Sequence, residues 1–478
     1  MEFDSRDRRT VLALSGAFLA GLAGCAGSGP TATERDPDRP DAGEDGEDGT
    51  GFEEYAIPEF PAIDPVTDPD VDPALLGDQV RGNVAFSLAL LERLRDDSSD
   101  ENLFFSPYSV SVALAMTYAG ARGETAAEMA DSLRYELERE DLHAAFGALE
   151  TEFERRNEDG AEVDDPFGVG PDDGESPEDD EEDDLGFRLS SANSVWVDAD
   201  YPVDENYLQL LEAYYETGGR LADFSGNPED ARRAINAWVE ERTNDRIEDL
   251  LPADSVTRST RLVLTNAVYF LAAWEREFDP ADTEPAPFTS LDGSQTEVDL
   301  MHQAARFPYA EIDGHQIVEL PYANGDTSMV VVLPAEGEFE AFESDLTVDR
   351  LATMLEATAT KRVDLTLPKF GIESKFSLVE VMAELGMERA FGGGADFSGM
   401  VDGDGDGLAI DDIVHQSVVE VDEEGTEAAA ATAVMVPTSA VERVELTVDR
   451  PFLFYVRDRP TETPLFVGRV VDGTTLQD

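Results

Sequence analysis

The sequence predicts an α+β fold. Apolar residues at helical spacing and apolar runs of strand length fall in separate blocks, without regular βαβ alternation. Hydrophobic residues make up 41% of the 478-residue chain, enough for a substantial core. No internal repeat breaks the chain into modules.

The elements follow in order. Asn83 to Leu94 carries apolar residues at helical spacing and reads as an amphipathic helix. Leu103-Phe-Phe105 is a short buried strand. Ser106-Pro-Tyr-Ser109 then opens a helix, with Ser as the cap and Pro just inside it. Val110 to Tyr118 is almost wholly apolar, so that helix is central. Arg188 to Val197 alternates like a strand, and Pro228 to Leu251 reads as a long helix with Ala231, Ile235, Trp238 and Val239 on one face. Leu262 to Trp274 is an apolar strand with Asn266 inside it. Ile317–Leu320 and Ser328–Leu333 flank the turn signal Tyr322-Ala-Asn-Gly-Asp. Val363 to Phe370 is a strand, and Phe376 to Gly386 a helix ended by Gly. Val414–Val421, Phe452–Arg457 and Leu465–Val471 are strands near the C-terminus.

Charge excludes whole classes of function. There are 34 Lys+Arg against 106 Asp+Glu, a net charge of −72. A nucleic-acid binder needs clustered Lys and Arg, which this chain lacks. Such a chain repels itself in dilute buffer, and molar salt screens the repulsion over ~3 Å. The composition therefore reads as halophilic. A single Cys rules out an intramolecular disulfide and a Cys-based zinc cluster. Four scattered His (His143, His302, His315, His415) leave little for a metal site or a catalytic triad, so a hydrolase is disfavoured and no cofactor is expected.

Residues 1–24 read as a Tat-type signal peptide. Arg8 and Arg9 precede the apolar run Thr10–Gly24, whose fifteen residues are too few to span a ~30 Å hydrocarbon core. Leu22-Ala-Gly-Cys25 resembles a lipobox, so Cys25 is the expected lipidation site. Residues 25–72 read as a disordered acidic tether, and 73–478 as the folded domain. Within it, residues 158–184 hold fifteen acidic residues in twenty-seven positions and read as a disordered insertion. Asp402-Gly-Asp-Gly-Asp-Gly407 starts like a calcium loop, but Ile413 stands where the pattern needs Glu, leaving a calcium loop or a salt-adapted turn.

The segment after Val421 is the most unusual. Asp422-Glu-Glu-Gly-Thr-Glu-Ala-Ala-Ala-Ala-Thr-Ala-Val434 has a Gly followed by a run of small residues. It suits a loop that can also become a strand, and equally an Ala-rich flexible connection or a short helix.

Glu423-Glu-Gly-Thr-Glu-Ala-Ala-Ala-Ala-Thr432 resembles the hinge of a serpin reactive-centre loop. Other stretches match the same family in the expected order: Asn102-Leu-Phe-Phe-Ser-Pro-Tyr-Ser109, Thr265-Asn266 with Phe270 and Trp274-Glu-Arg-Glu-Phe278, Leu367-Pro-Lys-Phe370, Ala395-Asp-Phe-Ser-Gly399, Arg450-Pro-Phe-Leu-Phe454 and Pro464-Leu-Phe-Val-Gly-Arg469. The resemblance implies a serpin fold: three β-sheets, eight or nine helices, and an exposed reactive-centre loop at 423–444. It also implies a suicide-substrate inhibitor of a serine protease, in which the cleaved loop inserts into the central sheet and carries the trapped protease with it.

The resemblance then assigns roles. Gly425 gives the pivot its backbone freedom. Thr426, Ala428, Ala430 and Thr432 share the inward parity and are small, whereas Glu427 faces out. This pattern favours an inhibitory member over a non-inhibitory binding or chaperone-like one. Counting from Thr426 places the reactive bond at Ser439–Ala440, with Thr438–Ser439 and Ala440–Val441 as alternatives. Small residues there suit elastase-like or subtilisin-like proteases. Ser106, Ser109, Asn266 and His415 fall at the buried polar cluster under the sheet opening; Lys369 and Glu423 match an ion pair near Trp274. The expected protein is a monomer, tethered outside the cell through Cys25, with the target protease as its partner.

Overall fold

The computed structural model describes residues 72–161, 187–215, 219–403, 405, 407–426 and 443–477. Strand pairing gathers the described residues into two sheets with helices packed around them, an α+β architecture.

The six-stranded sheet has the order β10-β11-β4-β2-β3, with the two-residue β12 added to β4. Its members are β2 (Arg188–Asp198), β3 (Gly219–Ala222), β4 (Leu262–Ala273), β10 (Phe370–Ser377), β11 (Asp412–Val421) and β12 (Gly425–Thr426). β4 is buried along nearly its whole length, as its unbroken apolar run requires. The nine-stranded sheet runs β1-β15-β14-β8-β7-β6-β9-β13, with β5 on β6. Here β1 is Leu103–Phe105, β5 Glu284–Thr289, β6 Gln295–Ile312, β7 His315–Pro321, β8 Thr327–Leu333, β9 Ala359–Pro368, β13 Arg443–Thr447, β14 Phe452–Asp458 and β15 Pro464–Val470. The long β6 gives it two lobes. Near its start β6 pairs with β5, then with β9, and only its last four residues pair with β7. Counted by lobes, the molecule has the three sheets the sequence implied.

Nine α-helices surround the sheets among the described residues. The central one is α2 (Pro107–Gly120), buried at every position. Ser106 caps it, its Oγ accepting the Ser109 amide at 3.0 Å. α1 (Pro73–Asp97) lies before it, followed by α3 (Gly123–Leu133), α4 (Arg139–Ala161) and α5 (Glu205–Tyr215). α4 continues to Ala161, four residues into the stretch read as a disordered insertion.

Three element boundaries differ from the sequence reading. The helix expected over Pro228–Leu251 is α6, and it stops at Arg242. Asn244 and Asp245 take positive φ, and the chain folds back so that Asn236 Oδ1 accepts the Leu251 amide at 2.8 Å. The apolar periodicity continues because Ile247, Leu250 and Leu251 share one small core with Ile235 and Val239. The strand expected over Val363–Phe370 breaks at Lys369, where the chain leaves one sheet for the other. Phe376 belongs to β10, not to the helix that ends at Gly386; that helix is only Val379–Glu384.

Candidate functional site

The site is a seam. β4 and β11 run parallel and are paired from Asp412/Val263 to Val418/Tyr269. Above that pair they part: Phe270 and Leu271 remain paired with β2, while Val419–Val421 pair only with β10. The mouth of the gap is occupied by β12, whose Gly425 and Thr426 pair antiparallel with Ala273 and Ala272.

A turn reverses the chain into that position. The Asp422 carboxylate accepts the Glu424 and Gly425 amides at 2.9 and 3.1 Å, and the Asp422 amide donates to Gly425 O at 3.0 Å. The segment following β4 pins the turn. Trp274 donates its indole N–H to Asp422 O (3.1 Å) and its amide to Glu424 O (3.0 Å), and the Phe278 amide donates to Glu423 O (2.8 Å). Trp274 itself is buried and stacks on Tyr322, centroids 4.7 Å apart and rings within 5° of parallel.

The Glu423 carboxylate is buried in this corner. It accepts from Lys369 Nζ at 2.6 Å and Thr283 Oγ1 at 2.7 Å. Burial pushes this carboxyl up, but the hydrogen bonds from Lys369 and Thr283 outweigh it and hold the group below the usual carboxylate range. Burial likewise lowers the Lys369 ammonium, and its bond to Glu423 overcomes that. Lys369 reaches this point because it stands where the chain switches sheets.

Lower in the seam lies a polar row. Asn193, Asn266, His415 and Phe376 are successive cross-strand partners on β2, β4, β11 and β10. His415 Nε2 accepts the Ser106 amide at 3.1 Å, so the ring's proton sits on Nδ1, which meets Asn266 Oδ1. Asn266 Nδ2 donates to Ser109 Oγ at 2.8 Å, and Ser109 Oγ donates to Asn193 Oδ1 at 2.9 Å. Ser106 Oγ donates to Leu465 O of β15 at 2.7 Å. His415 is fully buried, and burial drives its imidazole down to about 3, so it is neutral at physiological pH. The network ties the cap of α2 to both strands of the seam and to the nine-stranded sheet.

The structure thus joins Ser106, Ser109, Asn266 and His415 in one cluster, and Trp274, Lys369 and Glu423 in another beside β12. At Gly425 the structure adds a steric requirement. The residue carries no positive φ; a Cβ there would lie 2.2 Å from Ala272 O. Ala428, Ala430, Thr432 and the bond Ser439–Ala440 lie outside the described residues, as do Cys25 and the Asp404 and Asp406 of the Asp-Gly run. The sequence reading missed Asn193, Thr283 and Tyr322. Asn193 had a signal, a polar run (Ser190, Ser191, Asn193, Ser194) leading into the buried half of the strand. Tyr322 was read only as the start of a turn, and Thr283 carried no signal.

Comparison with known proteins agrees with this arrangement. The family model described as serpin (serine protease inhibitor) matches residues 81–473. An uncharacterized serpin-like protein of Thermococcus kodakarensis is 36% identical over 392 residues, covering 81% of this chain and 84% of its own. The leukocyte elastase inhibitor of Bos taurus is 35% identical over 398 residues, covering 81% and 97%. Among solved structures, the thermophilic serpin tengpin in its native state superposes with a TM-score of 0.72 at 28% identity, over 86% of this chain and 97% of its own.

Proposed function

Because the chain belongs to the serpin family, whose members are in general protease inhibitors rather than enzymes, we propose that it is an inhibitory, suicide-substrate inhibitor of an extracellular serine protease. One observation carries the reading: β12 already starts a strand between β4 and β11 at the top of an otherwise closed seam. Extending that strand downward would replace one parallel ladder with two antiparallel ones, which pair somewhat better per residue. Cleavage at Ser439–Ala440 frees residues 427–439 to follow Thr426 into the seam. The acyl-enzyme travels with them, and its active site is distorted before water can release it. The small residues Ala428, Ala430 and Thr432 suit the buried face of the new strand.

Small residues at the reactive bond point to an elastase-like or subtilisin-like target; a trypsin-like enzyme would need Arg or Lys there. The Bos taurus relative is named as an elastase inhibitor. The twin arginines and Cys25 support Tat export and a lipid anchor at the cell surface, and the charge of −72 supports work in high salt as a monomer.

The test is incubation with a subtilisin-like protease followed by denaturing electrophoresis. A covalent complex resistant to detergent is expected, with Thr426→Arg converting the protein into a cleaved substrate that forms none. Clean turnover of the unmodified protein without any complex would exclude the inhibitory reading and leave a non-inhibitory binding role.

A further inference from the structure

The chain has 34 Lys+Arg against 106 Asp+Glu, so a basic side chain ordinarily has a carboxylate within reach. Arg306 on β6 and Arg362 on β9 form no ion pair and no ring contact among the described residues. The two are cross-strand partners, and Arg362 is also the partner of Arg443 on β13. Three arginines therefore stand in one row across three neighbouring strands. Val363, Leu365 and Leu367 are buried and alternate with Arg362, Asp364 and Thr366, so the row lies on the outer face of the sheet. Arg443 pairs with Asp364, and that carboxylate is shared with His302 Nε2 at 2.6 Å. Arg306 and Arg362 are left uncompensated.

Past Arg306 the row continues into a crevice of about 20 Å³ lined by Arg276, Gln303, Arg306 and Trp274. That is room for about one water-sized group. Arg276 likewise forms no ion pair among the described residues. The position of the row matters as much as its charge. Arg443 follows Ser439 by four residues, so the chain allows at most about 14 Å between them. Neighbouring strands lie about 4.8 Å apart, which puts Arg306, two strands on, about 10 Å beyond Arg443. A globular protease is roughly 40 Å across, so one that holds Ser439–Ala440 overlies the row. In molar salt the Debye length is ~3 Å, so distant charges are screened and only contact pairs count. A planar guanidinium forms such pairs bidentately with carboxylates, which an ammonium does not.

We propose that the row Arg306–Arg362–Arg443, with Arg276 beside it, is a docking surface for carboxylates on the target protease, placed at the rim of the cleft that holds the reactive bond. This rests on the inhibitory reading above and adds the partner's chemistry, an acidic rim. The contact forms before any bond is cut, so it governs how tightly and how selectively the protease is held rather than whether the loop inserts.

The probe is a subtilisin-like protease of acidic surface whose nucleophilic serine is replaced by alanine, so that it holds the loop without cutting it. Its affinity for the full chain is measured in molar potassium chloride. Arg306→Ala with Arg362→Ala should weaken binding about tenfold, the worth of two exposed ion pairs. Arg306→Lys with Arg362→Lys, which keeps the charge, should fall between that variant and the parent. Arg81→Ala with Arg233→Ala removes the same net charge on α1 and α6 and should change binding by less than about twofold. Replacing the acidic residues at the protease's cleft rim by their amides should abolish the difference between the parent and the Arg306/Arg362 alanine variant. Melting curves identify a variant that has lost its fold. Equal affinity of the parent and the folded alanine variant overturns the proposal even where the parent traps the active protease, and so does a parent that does not bind the probe. A parent that binds the probe through these arginines but traps no active protease overturns the inhibitory reading and leaves the docking surface standing. Deletion of residues 162–184 that tightens binding about tenfold in the parent and not in the alanine variant also overturns the proposal, because the chain's own acidic stretch would then occupy the row.

Discussion

Asn266 and His415 are partners across the parallel seam, and the imidazole Nδ1–H is held by the Asn266 side-chain oxygen while Nε2 accepts the Ser106 amide. Both ring nitrogens are therefore used, and the ring has no place for a second proton. On the proposed mechanism an inserting strand would have to pass between these two side chains, which makes this contact the lock that insertion would break.

That lock is pH-sensitive. His415 is held at about 3 by burial, against about 6.5 in an unfolded chain. Between those values the unfolded state takes up a proton that the folded state refuses, so stability falls as pH drops from about 6.5 toward 3. The loss is on the order of 2 kcal/mol near pH 5. His143, also buried and driven to about 3, adds a similar term. Calorimetric melts in molar salt should show His415→Gln less stable at neutral pH but with a shallower decline on acidification. Parallel pH profiles for the two proteins would rule out this account of His415.

Gly425→Ala tests the start of the inserted strand. Its Cβ would meet Ala272 O at 2.2 Å and Ala273 Cα at 2.8 Å, both backbone atoms that cannot swing aside. The short strand should leave β4, releasing the turn that Trp274 holds. Hydrogen exchange at the Trp274 and Phe278 amides should rise, and more inhibitor should be consumed per protease molecule trapped. Unchanged exchange at both amides would show that the pairing tolerates a side chain.

Glu423→Gln tests the corner ion pair. The folded carboxyl sits below its ordinary value, so its contribution is present above about pH 4.5 and is lost as pH falls through the folded value. Lys369 is one-third exposed, which limits the effect to about 1 kcal/mol or less. The variant should melt earlier than the parent at pH 7 and together with it in acid. An equal deficit at both pH values would mean that packing, not charge, is what the substitution disturbs.

The sequence made the strands of the seam legible because their apolar runs are long and bounded, and Ser106 legible as a cap because Ser-Pro before an apolar run has few other uses. Local pattern could not reveal that β4 and β11 are neighbours, since about 140 residues separate them and parallel pairing leaves no local mark; only the family resemblance put Asn266 and His415 in one cluster. For the same reason α6 was read too long. Leu250 and Leu251 kept the helical period by folding back onto the same core that Ile235 and Val239 enter. Lys369 was matched by motif, but its physical role comes from the sheet switch beside Pro368, a feature that looks like one continuous strand in one dimension. Several elements went unread altogether, α4 and the long β6 among them, because polar and apolar residues are mixed along them without a clean period.

The nicked protein gives the energetic test. In the intact chain the seam contains seven paired positions, from Asp412/Val263 to Val418/Tyr269. A strand inserted there loses that ladder and forms one on each side, a net gain of one ladder. At about 1 kcal/mol per backbone hydrogen bond this is roughly 7 kcal/mol, before any side-chain burial is counted. For a domain of roughly 400 residues, at about 2.1 cal/mol/K of unfolding entropy per residue, such a gain corresponds to a rise in melting temperature on the order of 8 °C. Cleavage near Ser439 by a protease that the protein does not trap, followed by calorimetry in the same salt, should show that rise while the fragments remain associated. A nicked molecule that melts with the intact one would mean that no strand was added, and the loop would then be only an exposed cleavage site.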